Sequence, residues 1–170
     1  SGNYEYSDDN WTTSQSSPVF TGLDASTHQI WVRDLPNTCE ASTTITLQDP
    51  AALVTSGSVS SNYNGQEISC HGVSDGEITG EISGGVGGFT YSLTNSNYTS
   101  NNIFPLLSGS VSGTQYTVNY QDANGCFASE FLTIISPASL SANTSMVPVS
   151  CYSFSDGTAS VSVNGGTLGY

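Results

Sequence analysis

Lysine is absent from these 170 residues, and Arg33 is the single strong base against 14 carboxylates, for a formal net charge of −13. A nucleic-acid binder needs cationic groups to displace counterions from phosphates, so that class is excluded. Attraction to an acidic membrane surface is excluded for the same reason. Charge of either sign is scarce, at 9% of residues. The surface is therefore expected to be mostly Ser, Thr, Asn and Gly, neutral, hydrated and weakly acidic, which serves solubility. No run approaches the ~20 apolar residues of a membrane helix, and no signal-peptide pattern opens the chain. Membrane insertion is not expected. No window sustains a 3.6-residue period, so helical folds are not expected either. Without lysine, no Lys–Asn isopeptide staple can form, and trypsin has one strong site.

In place of these features stands a repeated passage. Ile68-Ser-Cys-His-Gly-Val-Ser-Asp-Gly76 returns as Val149-Ser-Cys-Tyr-Ser-Phe-Ser-Asp-Gly157, and Gly84-Gly85 returns as Gly165-Gly166, 81 places later throughout. The back of the unit also occurs twice. His28-Gln-Ile-Trp-Val-Arg-Asp34 leads to Cys39 and Pro50, and Tyr116-Thr-Val-Asn-Tyr-Gln-Asp122 leads to Cys126 and Pro137. Self-similarity at a fixed period marks an array of like modules. The expected division is 1–50 as the back half of one repeat, 51–137 as a complete repeat, and 138–170 as the front half of a third. The chain is expected to be a stretch of something longer or polymeric, and its last residues joined to its first would rebuild one whole unit.

Strand patterns fill the unit. Tyr116, Val118 and Tyr120 alternate with polar residues, as do His28, Ile30 and Val32, which is the period of a half-buried strand. Ile78, Gly80 and Ile82 alternate with Glu77, Thr79 and Glu81, and Ala159, Val161 and Val163 repeat that pattern. Asp122-Ala-Asn-Gly125 has hairpin-turn chemistry, since Asn and Gly tolerate positive φ. Short strands with turns about every ten residues predict an all-β fold of tandem immunoglobulin-like β-sandwich repeats.

The cysteines follow the repeat. Cys70 and Cys151 hold the front position, Cys39 and Cys126 the back position. None forms a CxxC pair or stands at ligand spacing from a histidine, which speaks against zinc. One complete unit holds one of each kind, so a Cys70–Cys126 disulfide is the expected staple. It would close a loop of about 56 residues and contribute ~4 kcal/mol or less. Cys39 and Cys151 are the candidates for pairing between units, across a head-to-tail junction. Such bonds imply an oxidising, extracytoplasmic setting.

The run Cys70, Ser74-Asp-Gly76, Gly84-Gly85, Phe89-Thr-Tyr-Ser92, Tyr116-Thr-Val118, Asp122-Ala-Asn-Gly-Cys126 and Pro137 resembles the SprB-type repeat. Tyr4-Glu-Tyr-Ser7 matches Phe89-Thr-Tyr-Ser92, which carries the resemblance into the flank. It implies an exported, surface-displayed protein of the kind Bacteroidota carry in tandem arrays, some of them gliding-motility adhesins. Two departures stand out. Asp34-Leu-Pro-Asn-Thr-Cys39 is one residue longer than its sister turn and lacks its glycine, so a different turn geometry is expected. Ser108 to Gly113 lengthens the approach to the Tyr-Thr-Val strand.

Chemistry is sparse. His28 and His71 are the only imidazoles, and sister copies carry Tyr116 and Tyr152 in their places, so packing explains them better than catalysis. No enzyme and no cofactor are expected. Calcium is the alternative weighed, with Asp8-Asp9-Asn10, Asp75 with Glu77, and Asp122 with Asn124 as oxygen donors; turn chemistry explains the same residues more simply. Trp11, in a polar stretch, is a candidate ligand or interface aromatic. The function expected is an extracellular structural or adhesive segment of a surface fibre, stalk or filament, with neighbouring copies of the same repeat as partners. The alternative is an adhesin module binding surface glycans, with calcium assisting. An accessory domain of an exported enzyme is a third reading.

Overall fold

The structure is a computed structural model and describes residues 3–167. Among these residues there are strands and turns but no helix, and the chain divides into two compact units, Ser1–Pro50 and Ala51–Tyr170. The predicted all-β character holds.

In the first unit, β1 (Tyr4–Ser7), β2 (Thr27–Asp34) and β3 (Glu40–Thr46) form one antiparallel sheet in that order. Tyr6 stands opposite Val32, and Ile30 opposite Thr43. Ser7 ends β1 and is buried; its hydroxyl oxygen accepts the Asp9 and Trp11 amides at 3.3 and 2.9 Å. A short hydroxyl at that point satisfies donors that would otherwise be stranded as the chain leaves the sheet.

The second unit begins with β4 (Val54–Thr55), β5 (Ser58–Val59), β6 (Gly76–Thr79) and β7 (Ile82–Ser83). It continues through β8 (Thr90–Ser92), β9 (Ile103–Leu107), β10 (Thr114–Gln121) and β11 (Phe127–Ile134). Strand β10 lies between β8 and β11 in one antiparallel sheet, the same arrangement as β1-β2-β3. Opposite it lie β4 paired with β7, and β5-β6-β9. These two ladders are one hairpin interrupted at Gly57 and Gly80. The Gly57 amide turns to Glu130 at 2.8 Å and the Gly80 amide to the Asn102 carbonyl at 2.8 Å. The copy of that hairpin, β12 (Ser141–Val147) with β13 (Thr158–Asn164), pairs without interruption from Ser141↔Asn164 to Val147↔Thr158.

The core of the second unit is Ile68, Ile78, Val118, Tyr120 and Ile134, each 0% exposed. The residues come from both layers: Ile78 from β6, Val118 and Tyr120 from β10, Ile134 from β11. Burying such side chains stabilises the unit by about 1.5–3 kcal/mol apiece. Tyr91 meets Tyr120 edge to face, with ring centroids 5.6 Å apart, a favoured aromatic geometry. The period-two pattern read along β10 is thus the inward row of one sheet.

Candidate interaction surfaces

Aspartates organise the turns. Asp122 is buried at the end of β10, and its Oδ1 accepts the amides of Asn124 and Cys126 at 2.9 Å each. Its Oδ2 accepts the Val86 amide at 3.0 Å, tying the β10–β11 turn to the glycine turn after β7. The Val86 amide, with those of Cys126 and Asn124, holds the Asp122 carboxyl below its ordinary range because each donor favours the anion. Asp75 and Asp156 are equivalent turn residues. They accept the amides of Ser69 and Ser150 at 3.1 and 3.0 Å and are lowered chiefly by hydrogen bonds from those serine side chains. Asp9 binds the Thr13 amide and hydroxyl and is lowered chiefly by that amide. The candidate calcium donors Asp9, Asp75 and Asp122 are thus engaged with backbone and hydroxyl donors. Among the described residues no three His, Cys, Asp or Glu side chains converge as a cation site requires.

The sequence reading missed one polar cluster. Tyr120 donates its hydroxyl to Glu130, which also takes the Gly57 amide. Burial, followed by the Glu130 contact, pushes the Tyr120 phenol far above its ordinary range. A strand patterned Phe127-Ala-Ser-Glu-Phe gives no sign that its one acid serves the facing layer; the signal lies in Gly57, whose Cβ would clash with both Glu130 and Tyr120.

Trp11 is half-buried. Arg33 lies over its ring, the guanidinium carbon 4.0 Å from the centroid, and Arg33 also pairs with Glu40 at 2.7 Å. The ring thus has a cationic neighbour on one face, and its backbone is left-handed (φ 66°).

The cysteine expectation needs correction. Cys39, Cys70, Cys126 and Cys151 are all free and exposed. Cys126 precedes β11, whereas the residue after Cys70, His71, contacts the Pro137 carbonyl beyond the other end of β11 (3.2 Å). An eight-residue strand spans roughly 25 Å at ~3.3 Å per residue, against the about 4.4–6.8 Å between Cα atoms that a disulfide allows. Cys70 and Cys126 sit at opposite ends of the module and do not staple it. The repeat placed one of each kind in a unit; it did not reveal that a full strand separates them.

Among the described residues, apolar side chains are exposed on two sheets. In the first unit, Ile30, Ile45 and Leu47 line a groove of about 440 Å³ with Pro18, Phe20 and Leu23. In the second, the β12–β13 hairpin leaves Met146 80% and Val161 62% exposed, and Val149, the copy of fully buried Ile68, 50% exposed.

Residues 62–97 match the family model described as the SprB repeat. That stretch runs from the turn before Cys70 through Ser92 and includes the Asp75-Gly76 and Gly84-Gly85 motifs that carry the resemblance. The match makes this part of the chain similar to the SprB repeat. No curated protein and no solved structure matches the chain.

Proposed function

We propose that the chain is a segment of an extracellular, surface-displayed repeat array whose work is structural or adhesive: a stalk, fibre or filament. The facing sheets of residues 51–137 are read as an immunoglobulin-like sandwich, and the half-repeats at 1–50 and 138–170 as parts of the same module. The observation that carries this reading is the SprB repeat match over 62–97, on a module whose two halves recur on either side. Modules in series give length, and their junctions set stiffness. The partners are neighbouring copies of the repeat, head to tail. A structural role accords with Asp75, Asp122 and Asp156 holding turns and with Glu130 engaged by Tyr120 and Gly57. The setting is the outside of a cell, of the kind seen in Bacteroidota with gliding adhesins.

Immunogold labelling of intact source cells with antibodies to residues 51–137 tests the reading. Label on surface fibres is the expected result; label only after permeabilisation would overturn it. A glycan array tests the adhesive alternative, because a purely structural module binds nothing there.

A further inference from the structure

The outward face of the β8-β10-β11 sheet also bears exposed apolar side chains. Along β11 the core sets the alternation: Glu130 points in to Tyr120, and Ile134 into the buried cluster. Successive side chains of a strand take opposite faces, so Phe127, Ser129 and Phe131 point out. Phe127 is 81% and Phe131 66% exposed, whereas the other Phe and Tyr side chains of residues 51–137 are at least partly covered. Strand β11 lies at the end of its sheet, where exposed aromatics are an aggregation hazard. The fold does not require them. Counted from Cys39 and Cys126, the sister sheet has Glu40 and Thr44 in the places of Phe127 and Phe131. There Arg33 stands opposite Glu40 and pairs with it; here Gln121 stands opposite Phe127.

The rest of the face has one chemistry. Gln121, Asn119 and Thr117 of β10 stand opposite Phe127, Ser129 and Phe131, in that order. None of the six is charged, on a chain whose net charge is −13. Amides and hydroxyls both donate and accept hydrogen bonds. The Asn119 amide is fixed against the sheet by its bond to the Ser92 carbonyl at 3.2 Å. A sugar presents the complement: hydroxyls that donate and accept around its rim, and apolar C–H faces suited to the negative face of an aromatic ring. Four residues of strand separate the two phenylalanines by about 13 Å. The rings therefore lie under different units of one sugar chain, with Asn119 and Ser129 beneath the units between.

Resting on the surface-array reading, we propose that this strip is a binding site for a neutral glycan chain. The chain lies along β11 with a sugar unit on each phenylalanine and its hydroxyls on Gln121, Asn119 and Thr117. Charge selects the ligand class. No cation on the strip answers a uronate or a sulfate, and the acidic protein repels both. A cationic partner finds no carboxylate among the six residues. The aromatics are a property of this copy of the repeat, so the sister sheet, with Glu40 and Thr44, does not share the site.

Affinity electrophoresis of the full chain tests the site, in native gels containing hydroxyethyl cellulose, galactomannan or dextran as neutral polymers and alginate as an acidic one. Phe127→Glu and Phe131→Thr bring in residues that the sister sheet already carries at these places, and circular dichroism checks the fold. At least one neutral polymer is expected to retard the parent, equally at low and high salt. Each variant should lose up to about tenfold in apparent affinity, and the double variant should run as it does without polymer. No retardation by the neutral polymers, retardation by alginate alone, or retardation that survives in the double variant overturns the site. So does a parent that sediments as a dimer and a double variant that does not, because the strip then seats a second copy. Each of these failures leaves surface display untouched, and the cell-labelling result decides that reading separately.

Discussion

Thr38 holds a left-handed backbone (φ 52°) in the turn between β2 and β3, where the sister turn uses Gly125 (φ 83°). Both turns close with the same bond, Asp34 N–H to Cys39 C=O at 3.0 Å and Asp122 N–H to Cys126 C=O at 2.9 Å. The extra residue thus changes the turn without changing its anchor. A β-branched residue is strained in that region, so Thr38→Gly should raise stability by up to about 1 kcal/mol, read as a higher thermal midpoint; no change would show that the turn relaxes. Tyr120→Phe should cost about 1–2 kcal/mol, since Glu130 loses its phenol donor, measured by urea unfolding. For Asp75, Asp122 and Asp156 the folded carboxyls lie below their unfolded values. Their contribution is therefore complete above the unfolded value, about 3.9, and is lost as pH falls through the folded values. The thermal midpoint should be flat near neutrality and fall in acid. Asp122→Asn should lower it at neutral pH and flatten the acid slope. An unchanged slope would show that Asp122 does not hold the turn.

At the scale of elements, the glycine pair decides how a repeat begins. Gly84 is left-handed, and a Cβ there would strike the Ala52 carbonyl; Gly165 meets the Ser139 carbonyl in the same way. Gly84→Ala should therefore cost at least about 2 kcal/mol, and an equally stable variant would show that the clamp is dispensable. The inward row of β10, the strand at β2, the Asp122 hairpin and the recurrence of both half-units were legible in the sequence, because period-two alternation and turn residues are local signals. The Glu130 cluster and the separation of Cys70 from Cys126 were not. Each depends on which strand faces which across the module, and nothing local to Glu130 or Cys126 records that. The break at Gly57 and Gly80 was equally hidden, since Ile78, Gly80 and Ile82 read as one unbroken strand.

At the scale of the molecule, a net charge of −13 spread over few charged groups keeps the chain soluble while leaving short-range apolar contact free to act. Modules in series give a surface array its length, so the account rests on where residues 51–137 are displayed. The decisive measurement is protease shaving of intact source cells, with mass spectrometry of the peptides released. Peptides from residues 51–137 in the supernatant of intact cells are the expected result. Their release only after lysis would contradict the account.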